Sequence, residues 1–259
     1  MNFYLLLIAI LPVVLIGLFI YKKDKNKEST KLLFKLFGFG ILSCFLVVII
    51  SLFLGIFFPI LTAPTEELNL LELLLQVFIG VALIEEFCKW VITYKLTFKH
   101  DEFDEIYDII IYSVFVSLGF TCFENILYVL EGGIVTGIIR ALLAVPSHAC
   151  FGIFMGYYLG LSKLSEISKH LNLKKKYFIL SLLVPVILHG IYDYLLFTQI
   201  ILFILIYFGF IILLYIRALR KIKTFTRVTT KLKYKNNYCP NCGRKVDSDY
   251  CPNCGNKNI

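Results

Sequence analysis

Gly38–Phe58 reads GFGILSCFLVVIISLFLGIFF, a run with no charged side chain. A transmembrane helix needs about 20 consecutive apolar residues to cross a hydrocarbon layer about 30 Å thick. A soluble helix of that length would present a polar face to water, and this one has none to present. The same pattern recurs along the chain, giving spans at about 1–20, 35–58, 70–95, 106–130, 138–161, 177–197 and 200–217. The last two share one apolar run. It is divided near Thr198-Gln199, because a single helix of that length would overshoot the bilayer. The expected fold is an all-α polytopic membrane protein of about seven transmembrane helices.

Composition agrees. The 259 residues are 59% hydrophobic and only 17% charged, against roughly 45–50% apolar and about 25% charged in soluble domains. That excludes a soluble enzyme, a secreted disulfide scaffold and a disordered tail protein. The net charge of +8 does not point to nucleic acid, because the basic residues gather at span ends. Lys22, Lys23, Lys25, Lys27 and Lys31 follow the first span, Lys95 and Lys99 the third, and Lys163, Lys169, Lys174, Lys175 and Lys176 the fifth. The tail from 217 is basic as well, whereas segments 59–69 and 131–137 carry no lysine or arginine. Lys35, Lys89 and Arg140 are the remaining cations. The positive-inside rule then places the N-terminus outside and the C-terminus in the cytoplasm. The first stretch lacks a basic leader and a small-residue cleavage site, so it reads as a retained anchor. The expected divisions are a membrane domain over 1–217, a basic linker over 218–237 and a small module over 238–259.

That module contains Cys239-Pro-Asn-Cys242-Gly and Cys251-Pro-Asn-Cys254-Gly. Two such knuckles bring four thiolates to one tetrahedral ion, the pattern of a zinc ribbon. Such a site is closed and structural, and the metal supplies most of the folding energy of so small a unit. Two disulfides would be the alternative, but a cytoplasmic location keeps thiols reduced. The ribbon is a candidate docking point for a cytoplasmic protein partner. Cys44, Cys88, Cys122 and Cys150 are scattered through the spans and read as small buried hydrophobes.

The chemistry lies in ionisable residues inside spans. The third span carries Glu85, Glu86 and Lys89, the fourth Glu124 and Asn125, the fifth His148, and the sixth His189 and Asp193. One unpaired charge at mid-bilayer costs about 2.5–3.5 kcal/mol on insertion scales, so these groups must meet one another, water or a ligand. Helical spacing lets them meet. Glu85 and Lys89 stand four apart, Glu86 and Lys89 three apart, and His189 and Asp193 four apart. His148, Gly152, Gly156 and Gly160 form a stripe of four-residue period that admits a neighbouring helix. Paired carboxylates with two imidazoles suit activation of water and stabilisation of an oxyanion. Glu66, Glu67, Glu72 and Glu131 read as solvated residues of the outer face, and Asp101, Glu102, Asp104 and Glu105 as a solvated cytoplasmic loop.

The order Glu85-Glu86-x-x-Lys89, Phe120-x-x-x-Glu124-Asn125, His148 with Gly156 eight residues on, and His189-x-x-x-Asp193 resembles the PrsW family of intramembrane proteases. That family is similar to the wider group of glutamate-dependent CAAX-type and bacteriocin-processing membrane proteases. The resemblance implies hydrolysis of a peptide bond in a single-pass membrane protein within the bilayer. An anti-sigma factor, cut on its outer side, is the characterised family substrate. Carried over by position, Glu85 or Glu86 activates water, His189 with His148 stabilises the oxyanion, and Asp193 orients His189. Glu124 and Asn125 complete the polar shell, and Lys89 balances the acidic pair. No metal is expected in this centre; zinc is expected only in the ribbon, which lies outside the shared motifs. A variant reading has His148, His189 and carboxylates holding zinc, although no HExxH motif is present. An ion- or proton-coupled transporter and a non-catalytic membrane sensor are the alternatives from other classes. The Lys-, Ile-, Phe- and Asn-rich usage suits a bacterial cell membrane.

Overall fold

The computed structural model describes residues 3–24, 26–227 and 253–254. The ribbon ligands Cys239, Cys242 and Cys251 lie outside the described residues, as do most of the linker and module, and Cys254 is described only as part of an isolated turn. Among the described residues every regular element is helical: α1 (Phe3–Lys23), α2 (Thr30–Phe57), α3 (Leu70–Leu75), α4 (Ile84–Thr97), α5 (Asp108–Leu142), α6 (Ala144–Ile167), α7 (Leu171–Phe197) and α8 (Ile201–Arg227), with single turns at Pro59–Leu61 and Thr65–Glu67. A π-helical stretch, Gln76–Leu83, joins α3 to α4 without a break. Among the described residues five stretches are long and apolar enough to cross a membrane: Phe3–Lys23, Thr30–Phe57, Asp108–Ile167 taken together, Leu171–Phe197 and Ile201–Thr226.

Local chemistry sets the ends. Ser29 caps α2 by accepting from the Leu32 amide. Asn69 and Glu72 form a reciprocal capping box at the start of α3. The long apolar run does divide where expected: α7 stops at Phe197, and Gln199 takes a left-handed φ of 54°. The 60-residue stretch Asp108–Ile167 doubles back at Gly133, whose φ of 71° and ψ of −161° belong to a region open essentially to glycine alone.

The centre of the bundle is the pair α5 and α6. Ile109, Ile110, Ile111, Tyr112, Val114, Val116, Val145, Phe151 and Leu159 are wholly buried there. The glycine stripe explains how closely the two helices approach. A Cβ on Gly156 would stand 2.4 Å from Ser113 Oγ and 2.6 Å from the Ile109 carbonyl. The hydroxyls at the same seam close on backbone: Ser113 donates to the Gly152 carbonyl at 2.7 Å and Ser117 to the His148 carbonyl at 2.6 Å. Helices α1, α2 and α8 lie outside this pair and turn Leu, Ile and Phe side chains outward, as a lipid-facing layer does.

The acidic loop expected to be solvated is instead folded onto the turn between α1 and α2. Glu105 is buried and accepts from the Asn26 side chain; Glu102 accepts from Ser29. Tyr112 donates to Glu28, which is buried beside Asp24. Burial pushes the Glu28 carboxyl up to about 7, and the neighbouring Asp24 and Glu102 carboxylates add to the rise. Phe98, Phe103, Ile106 and Tyr107 supply the apolar anchors that pull this loop inward, a pattern masked in the sequence by the four acids between them.

Candidate active site

Glu85, Glu86 and Lys89 occupy the first turns of α4, directly after the π-helical stretch. Lys89 stands four positions after Glu85 and three after Glu86, so helical spacing brings each carboxylate to the lysine, and Glu86 and Lys89 have no exposed surface. Lys89 Nζ lies 2.8 Å from Glu86 Oε1 and 3.2 Å from Glu85 Oε2. It also stands 3.9 Å above the centre of the Phe120 ring. Burying three charges is tolerable because each is paired at short range.

Two histidines approach this cluster from α6 and α7. His189 Nδ1 is 3.1 Å from Glu86 Oε1, and its Nε2 is 3.3 Å from Asp193 Oδ2 on the next turn. His148 Nδ1 is 3.3 Å from Lys89 Nζ, and its Nε2 is 3.2 Å from Glu124 Oε2 on α5. The two imidazoles are thus held alike. Each has a carboxylate on its far nitrogen, Asp193 or Glu124; His189 turns Nδ1 to Glu86 and His148 turns Nδ1 to the Lys89 ammonium. Ring packing fixes them further. The two imidazole centres are 5.0 Å apart, and Phe151 stacks on His189 at 4.9 Å.

Most of the expected residues therefore converge. Asn125 does not reach the acidic pair: its amide donates to the Ala9 carbonyl of α1 at 2.8 Å and its carbonyl accepts from Arg140. Glu124 reaches the centre only through His148. Arg140, to which the sequence reading gave no role, donates Nη2 to Glu124 Oε2 at 2.8 Å and Nε to Asn125 Oδ1 at 2.9 Å. The sequence signal for it was a single arginine inside an apolar run, sixteen positions after a glutamate inside another.

Glu85, Glu86, His148 and His189 each offer one donor atom, and these atoms all lie within 4.8 Å of one another. Among the described residues Glu86 Oε2 is buried and has no hydrogen-bond partner. Imidazole and carboxylate donors suit zinc and related divalent ions. A carboxylate behind each histidine is the arrangement that orients metal-binding imidazoles. The centre that the sequence reading took to be metal-free thus has a donor set that fits a divalent ion.

Comparison with known proteins agrees in kind. Residues 28–218 match the model of the PrsW family intramembrane metalloprotease. "Protease PrsW" of Oceanobacillus iheyensis is 41% identical over 217 residues, covering 83% of this chain and 93% of that protein. The protein of the same name from Geobacillus kaustophilus is 40% identical over 188 residues, 72% of this chain and 76% of its own length. That of Clostridioides difficile is 31% identical over 240 residues, 91% of this chain and 97% of its own length. No solved structure matches. The matched region contains every residue of the buried cluster. The chain belongs to the PrsW family of intramembrane proteases and is a multi-pass protein of the cell membrane.

Proposed function

We propose that this protease hydrolyses a peptide bond in a single-pass membrane protein, with Glu85 as the base that activates water and Glu86, His148 and His189 as the groups that hold a divalent metal ion. The observation that supports this most is the set of donor atoms of Glu85, Glu86, His148 and His189, all within 4.8 Å of one another, with a carboxylate behind each histidine. Two histidines and one glutamate form the three-ligand set of several catalytic zinc sites, which leave the remaining position for water. When bound, the ion would polarise the scissile carbonyl and make bound water a better nucleophile.

The chain's own residues divide the remaining work. Glu85 and Glu86 differ in access. The Glu86 side chain is fully buried and bonded to both Lys89 and His189, whereas the Glu85 side chain is 11% exposed and bonded through one oxygen to Lys89. Glu85 is the carboxylate that a water molecule reaches, so it takes the proton and returns it to the leaving amine. Lys89 bridges the two adjacent carboxylates and offsets their charge. Asp193 and Glu124 hold His189 and His148 by their far nitrogens and so fix both rings. The apolar shell of α5, α6 and α7 keeps the cluster in a low dielectric, where these charges act strongly.

The seven spans expected from the sequence, with the N-terminus outside and the C-terminus in the cytoplasm, support a cut toward the outer side of the substrate's membrane segment. An anti-sigma factor is the substrate class that the family resemblance implies.

The test uses full-length protein in liposomes with a single-pass reporter, in a background where Cys239, Cys242, Cys251 and Cys254 are serine. A chelator is expected to stop cleavage and added zinc to restore it, with one equivalent of metal bound per chain. Full activity in metal-free protein would overturn the metal assignment. Full activity of Glu85→Gln would overturn its role as base.

A further inference from the structure

Arg140 follows Glu124 by sixteen positions within α5. A straight helix would put them about 24 Å apart, yet Arg140 Nη2 is 2.8 Å from Glu124 Oε2. The reversal at Gly133 makes the contact possible. It returns Ile134–Leu142 alongside the limb that carries Glu124 and Asn125. The guanidinium grips both neighbours with separate arms, Nη2 on Glu124 and Nε on Asn125. Asn125 is itself tied to the Ala9 carbonyl of α1. The guanidinium also lies 4.1 Å from the centre of the Tyr128 ring, which backs its face.

The oxygen that Arg140 grips is the one that holds His148. Glu124 Oε2 is shared between Arg140 Nη2 at 2.8 Å and His148 Nε2 at 3.2 Å. An arginine that merely reached for the membrane surface would extend its head to water and leave this carboxylate alone. Here the side chain is only 15% exposed, and the planar fork meets two acceptors at once. A fork of that kind fixes direction as well as distance, which a lysine cannot do.

We propose that Arg140 is a positioning residue for the reaction: it locks Glu124 so that Glu124 holds His148 with Nδ1 facing Lys89, the partner of Glu85 and Glu86. The inference rests on the proposed centre, though its geometry stands without it. Gly133 belongs to the same device, because only a residue without a side chain takes its backbone angles. Arg140 touches neither Glu85, Glu86 nor His189, so its effect passes through Glu124 and His148.

The test compares wild type, Arg140→Gln, Arg140→Lys and Arg140→Ala as full-length protein in liposomes carrying the single-pass reporter. Loss of an outer partner behind a metal-site histidine typically lowers activity about 10–100-fold. Arg140→Gln is expected to lose kcat on that scale with KM changed less than about twofold, and Arg140→Lys to recover part of the loss. Added methylguanidine is expected to restore a share of Arg140→Ala turnover, which a change in packing would not allow. Wild-type kcat in Arg140→Gln, or a loss that tracks thermal stability and ignores methylguanidine, overturns the proposal. A second readout needs no turnover. Side-chain 15N NMR of His148 is expected to show the Nε2 hydrogen bond weakened in Arg140→Gln; an unchanged signal overturns the positioning role. Absence of cleavage by wild type would count against the proposed function, and the NMR comparison would still decide Arg140.

Discussion

His189 Nδ1 lies 3.1 Å from Glu86 Oε1 across 103 positions of sequence. Removing either side strands the other in a dry interior. Glu86→Gln keeps the shape and loses the charge that both Lys89 and His189 face; His189→Ala removes the ring. Cleavage of the single-pass reporter is expected to fall by at least about 100-fold in each, the lower range for loss of a proton-transfer or metal-holding group. Time-resolved gel assays at equal amounts of folded protein measure it.

Asp193 touches the centre only through His189, its Oδ2 standing 3.3 Å from Nε2. Asp193→Asn is therefore expected to cost less than loss of His189, about 10–100-fold in kcat, with substrate binding preserved. Steady-state kinetics on the same reporter distinguish the two variants. Equal loss in both would mean that Asp193 acts directly on the substrate.

Glu28 gives a pH dependence of stability that is separate from catalysis. Its carboxyl is pushed up to about 7 from an ordinary 4.5, chiefly by burial. The folded chain thus holds this proton more tightly than the unfolded chain. The stability it contributes is complete below the ordinary value and is lost as pH rises through the folded one. Thermal stability in detergent is expected to decline between about pH 5 and about pH 8, and Glu28→Gln to flatten that decline. A Glu28→Gln curve parallel to wild type would refute the assignment.

Gly156 and Gly38 offer a matched pair. A Cβ at Gly156 meets Ser113 Oγ at 2.4 Å and the Ile109 carbonyl at 2.6 Å, whereas one at Gly38 meets none of the described residues within 4 Å. Gly156→Ala is expected to force α5 and α6 apart at a cost of about 1–3 kcal/mol, and Gly38→Ala to stay within about 1 kcal/mol of wild type. Thermal unfolding of the two variants side by side checks the difference.

Much of this arrangement was legible in the sequence because the bilayer imposes a simple rule. Apolar runs mark spans, and the few ionisable residues inside them must find one another. Glu85, Glu86, Lys89, His148, His189 and Asp193 were readable on that ground, since helical spacing already set their faces. What escaped depended on backbone turns that leave no periodic trace. The reversal at Gly133 hid Arg140, because 138–161 reads as an ordinary span. Asn125 stood next to Glu124 in sequence and was read as part of the same polar shell, although neighbours on a helix face different ways and it turns to α1. Glu105 was hidden by its acidic company, while the phenylalanines and tyrosine that bury its loop lay between the charges.

The π-helical stretch Gln76–Leu83 carries a consequence for the register of everything that follows it. Such a wide turn holds an extra residue per round compared with an ordinary helix, and it ends where the two glutamates begin. Rewinding it to the commoner form with no residue removed would turn α4 by about 100°. Both carboxylates would then turn away from His148 and His189. The winding of this short segment, more than the identity of its side chains, sets which way the acidic pair aims.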